Sequence, residues 1–126
     1  MSEILVFRDT VLAALKPLDG RLDVSATQPE TFTVLIQTVQ AIRRSLADTV
    51  MKTRVDKRIL TELGRLFAAL VNIERSAESL KSWLGREADD GAFGMSPMAG
   101  QQYREAVADY LKQLCAFKEA FEPPSP

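Results

Sequence analysis

Four stretches of the chain carry apolar residues at alternating intervals of three and four, the spacing that gathers side chains on one face of an α-helix. The first runs from about Ser2 to Lys16, with Ile4, Phe7, Val11 and Ala14 on one side and Leu5, Leu12 and Leu15 beside them. Pro17 predicts its end, because the residue before a proline is pushed out of the α region, and Asp19-Gly20 supplies a turn. A second helix is predicted to open at Thr27-Gln28-Pro29-Glu30. Thr27 is placed to cap a free backbone N–H, Glu30 to reach back to it, and Pro29 falls where its missing N–H costs nothing. Phe32, Leu35, Val39, Ile42, Leu46 and Val50 mark its buried face.

The third stretch, about Thr53 to Leu84, keeps the alternation longest, through Ile59, Leu63, Leu66, Leu70, Ile73, Ala77, Leu80 and Leu84. Leu60, Phe67 and Val71 widen its stripe, which predicts a central place in a bundle. Its apolar face is out of phase with that of the second helix across Met51 to Arg54, so a short break is placed there. Gly85 suits a C-terminal cap, and the polar, acidic run Gly85 to Gly94 reads as the longest loop. Ser96-Pro97 restarts a helix, carried by Tyr103, Val107, Tyr110, Leu114, Phe117 and Phe121. The expectation is an all-α fold, an antiparallel four-helix bundle with a short proline-rich C-terminal tail, monomeric when isolated and with little or no strand. Residues 1–122 would form one domain and 123–126 a tail with no fold of its own.

Composition agrees with that picture. A chain of 126 residues with 46% hydrophobic and 26% charged residues matches one ordinary globular domain rather than a disordered segment. No stretch reaches 18 uncharged apolar residues and the N-terminus lacks the pattern of a signal peptide, so a cytoplasmic protein with no membrane span is expected. The single cysteine, Cys115, cannot pair internally and reads as a small buried apolar group. Met51, Met95 and Met98 read as core gap-fillers. Gly64, inside a strongly periodic helix, reads as a point of close helix approach.

Charge changes the picture more than composition does. The formal net charge is −1, yet residues 31 to 86 hold ten Lys/Arg against five Asp/Glu, while the remainder holds six against twelve. A central surplus of +5 thus faces a deficit of −6, and such segregation can mark a partner surface. Catalysis is not expected. The chain has no histidine, which removes Ser-His-Asp and Cys-His arrangements and the Glu-x-x-His pairs of di-metal bundles. No glycine-rich phosphate loop is present, since the glycines of Gly85 to Gly94 lie among acids. No metal, cofactor or small-molecule substrate is therefore expected.

What remains is one face of the third helix. At about 100° per residue with Arg54 at zero, Lys57 and Arg75 fall near −60°, Arg58 near +40° and Arg65 near +20°, with Asn72 and Trp83 close by. The carboxylates fall elsewhere, Glu62 near +80°, Asp56 and Glu74 near 200° and Glu78 near 240°. Solvated helix faces usually mix both signs four residues apart, whereas this strip does not, and arginine in a row suits phosphate oxygens because the guanidinium donates in a planar fork. Arg43 and Arg44 on the second helix extend it. Trp83 reads as an aromatic packed under a loop, with stacking on a base as the alternative.

Around Gly64 the chain reads Leu63-Gly64-Arg65-Leu66-Phe67-Ala68-Ala69-Leu70, and after the acidic run comes Phe93-Gly94-Met95-Ser96-Pro97. Both resemble the C-terminal helical region of the large subunit in type I CRISPR effector complexes, a region made in some systems as a separate small subunit. The resemblance covers about Ile59 to Phe117. It implies a non-catalytic bundle that stacks in copies and lines a path for nucleic acid, with Arg65 as a backbone contact. The expected partners are nucleic acid and the other subunits of a ribonucleoprotein complex. The alternative is a protein-binding helical adaptor or assembly chaperone, of phage or secretion type, which an exposed apolar patch would favour.

Overall fold

The computed structural model of the protein describes residues 3–22, 29–90 and 97–121. Four helices, α1 (Glu3–Leu15), α2 (Pro29–Lys52), α3 (Lys57–Asp90) and α4 (Pro97–Glu119), form a bundle, and no strand occurs among the described residues. As Pro17 requires, α1 gives way to a 3₁₀ turn at Lys16–Leu18, and Gly20 takes φ +79° in the turn that follows. The predicted cap Thr27, with Gln28 after it, the run Gly91 to Ser96 and the tail Pro123 to Pro126 lie outside the described residues.

Neighbouring helices run antiparallel. Val6 and Phe7, early in α1, share a depression with Asp48 and Lys52, late in α2. Arg43 of α2 pairs with Glu74 of α3, while Val50 lies beside Leu63, so the two helices pass in opposite directions. Arg58 in the first turn of α3 donates to the Ala120 carbonyl just past the end of α4, at 2.7 Å. Lying between α2 and α4 and packed on both, α3 is the central helix.

The apolar stripes meet in one core. Phe7, Val11 and Leu15 of α1, Phe32 to Leu46 of the α2 stripe, Ile59 to Leu80 of the α3 stripe, and Tyr103, Val107, Tyr110 and Phe117 of α4 are buried together. Trp83 is half-buried against this core, so the indole packs rather than standing free. Phe32 and Tyr103 meet edge to face, ring centroids 5.3 Å apart, and tie the start of α2 to α4.

Several boundaries and burials differ from expectation. The break lies at residues 53–56 rather than 51–54, because Asp56 accepts a hydrogen bond from the Ile59 N–H at 3.0 Å and so caps α3. At the other end, α3 does not stop at Gly85. It continues to Asp90, since Arg86, Glu87 and Ala88 are good helix formers and a lone glycine costs only about 1 kcal/mol. Cys115 is exposed, one position off the buried face of α4. Met51 fills no gap and is 87% exposed; Leu60 is likewise exposed instead of widening the stripe. A Cβ at Gly64 would meet nothing within 4 Å, so no described helix closes on it there.

Tyr110 lies 3% exposed beneath the turn that carries Asp19. Burial, with a smaller contribution from the Asp19 carboxylate, pushes its hydroxyl up to about 12. The unfolded chain releases that proton near pH 10, so stability held by neutral Tyr110 is complete below pH 10 and drains away as pH rises towards 12. Urea unfolding should register a loss of about 2–3 kcal/mol across that window. Tyr110→Phe should remove this step; equal alkaline losses in both proteins would refute the assignment.

Candidate nucleic-acid interface

The outer face of α3, between the flanks covered by α2 and α4, is where the structure places most of the cations singled out from the sequence. Lys57, Arg58, Arg65 and Arg75 are all exposed there. From Lys57 to Arg75 the row extends about 27 Å at the rise of an α-helix. Arg54 is exposed too, but it belongs to the break before the helix, so helical phase does not govern it. It stands instead at the positive end of α3, whose first turn contains no acid and two cations. Lys57 and Arg58 add to the positive end of the helix dipole, and the capping Asp56 carboxylate offsets part of that field.

The cations are not equally free. Arg65 lies 3.1 Å from the carboxylate of Glu62, one turn back, and Arg58 is engaged by the Ala120 carbonyl. Glu62 was placed off the strip by phase, and it still reaches Arg65 because positions three apart are neighbours on a helix. The side chains of Arg44, Arg54, Lys57 and Arg75 make no hydrogen bond or ion pair with any described residue.

Arg43 is engaged within the fold rather than free on the outer surface. Its guanidinium pairs with the Glu74 carboxylate and lies over the Phe67 ring, 5.6 Å from the centroid. Glu74, assigned by phase to a position off the apolar stripe, is only 8% exposed. The flank of α3 on which it lies is covered by α2, and Arg43 compensates the buried charge. Arg44, the next residue, stays exposed and lines a groove with Gln40 and Glu78. Periodicity also missed an apolar depression between α2 and α3 lined by Val50, Met51, Leu60, Leu63, Gly64 and Phe67. Its sequence signals, Met51, Leu60, Gly64 and Phe67, all read as internal packing.

Chemically, exposed guanidinium and ammonium groups spaced along a rigid helix can neutralise successive phosphates while making no demand on base identity. Among the described residues no group of three or more His, Cys, Asp or Glu side chains is placed to hold a metal ion. No described helix is long and apolar enough to cross a membrane. Comparison with protein-family models, curated proteins and solved structures finds no match to this chain.

Proposed function

We propose that this protein is a non-catalytic helical subunit that binds nucleic-acid backbone through the outer face of α3. The observation that carries the reading is the set of exposed cations without partners among the described residues, Arg54, Lys57 and Arg75, joined by Arg44 and flanked by the partly engaged Arg58 and Arg65. An ordinary solvated helix pairs its charges, whereas Lys57 and Arg75, on the outer face of α3, pair with no described residue. The resemblance of the Leu63 to Leu70 and Phe93 to Pro97 segments to type I CRISPR effector subunits supports placing this activity inside a larger ribonucleoprotein. There, neighbouring subunits would add contacts that one short row cannot supply.

The test is the salt dependence of binding by the isolated chain. Four or five phosphate contacts predict that the logarithm of affinity falls with the logarithm of salt concentration at a slope of roughly −3 to −4.5. Fluorescence anisotropy with a labelled oligonucleotide of mixed sequence measures this, and unrelated sequences should give the same slope. A slope near zero at low salt would overturn the reading and favour the protein-binding adaptor.

A further inference from the structure

The apolar depression between the end of α2 and the start of α3 has a volume near 330 Å³ and opens to solvent. Its walls are Val50 and Met51 on one side and Leu60, Leu63, Gly64 and Phe67 on the other. Met51 and Leu60, 87% and 40% exposed, stand at its mouth without covering it. Gly64 is the unusual member. A mid-helix glycine costs about 1 kcal/mol against alanine, and here the missing side chain makes room for nothing in this chain, since the space beside it is open. The room is of use only to a group arriving from outside.

We infer that this depression docks an amphipathic helix with acidic flanks from a partner protein. From Leu60 to Phe67 the wall is about 10 Å long, two helical turns, which suits a guest presenting apolar residues at i, i+4 and i+7. Gly64 lets the guest backbone approach closely. Charge selects the guest. Lys57, one turn before Leu60 on α3, is exposed and pairs with no described residue; Arg54, in the short connection between Met51 and Leu60, is likewise exposed and lines the neighbouring depression against α1, where Asp48 is held by Lys52 at 2.9 Å. Two copies of this chain meeting face to face would set these cations against one another, whereas a helix with Glu or Asp beside its apolar stripe would neutralise them. The inference shares Lys57 and Arg54 with the nucleic-acid reading but takes its binding energy from the apolar walls and Gly64, so Gly64→Leu separates the two.

The experiment uses the full chain and two fluorescein-labelled helical peptides sharing one leucine stripe, one flanked by Glu and the other by Lys. Anisotropy titration is expected to show the Glu peptide binding at least roughly tenfold more tightly than the Lys peptide. Gly64→Leu fills the depression with a good helix former at an uncrowded position, so it should fold as well as the parent. It should weaken the Glu peptide by at least about tenfold, as occluding the centre of an interface does, and leave the oligonucleotide salt slope unchanged. Met51→Ser should weaken the peptide less. Equal binding of the two peptides, or unchanged binding to a folded Gly64→Leu, would overturn the proposal. So would a concentration-dependent dimer in sedimentation equilibrium that Gly64→Leu dissolves, since that would assign the depression to a second copy. Loss of the salt slope with peptide binding intact would count against the nucleic-acid reading alone.

Discussion

Replacing Arg43 with methionine is expected to lower stability by about 2–4 kcal/mol, somewhat below the range for a fully buried pair. The cause is the carboxylate left behind. Glu74 keeps little access to water, and methionine supplies a stem of similar length to cover Phe67 but no positive charge. The discount reflects Arg43, whose side chain is 31% exposed, so water screens part of the pair. A drop in Tm on the order of 10 °C should accompany the change. Adding Glu74→Leu should recover most of the loss, because a buried ion pair replaced as a whole by apolar groups is often neutral. A double-mutant cycle by urea unfolding measures the coupling. Arg43→Met within about 0.5 kcal/mol of the parent would mean that Glu74 finds compensation elsewhere. Since Arg43 faces α3 and not the interface, the salt slope of the folded variant should match the parent.

The second large effect concerns the free cations. Reversing Lys57 and Arg75 together to glutamate should flatten the salt slope by about 1.5–2 units and reduce affinity at 50 mM salt roughly a hundredfold. Each removed phosphate contact takes with it the counterions it released, and the new carboxylates repel the backbone besides. Both side chains are exposed and unpaired, so the fold should be untouched. Reversal of Arg58 and Arg65 should do less to the slope, because one is already engaged by the Ala120 carbonyl and the other by Glu62. Equal effects from the two pairs would show that these internal contacts open when nucleic acid binds. An unchanged slope in both would reduce the row to a solvated face.

The amino-acid sequence by itself determined the number of helices, their buried faces and the exposure of Lys57, Arg58, Arg65 and Arg75. Periodicity reports phase about a helix axis, and phase separates the middle of a buried stripe from the side directly opposite. Local chemistry also placed the stop at Pro17 and the turn at Gly20, where a fixed φ or a permitted positive φ decides the backbone without help from neighbours. Positions on the flanks of a stripe were different, because their environment depends on which helix covers them. Glu74 became buried and Arg43 its partner because α2 lies on that flank of α3. Gly64, Leu60 and Met51 became an open apolar depression because no described residue fills the seam between α2 and α3 beside them. The start of α3 also rested on a choice that phase does not see: Asp56 had to leave the helix to cap it, and Arg54 left with it. Where two helices end relative to each other is a property of their packing, and only the assembled bundle decided which cations were spent within the fold and which remained free.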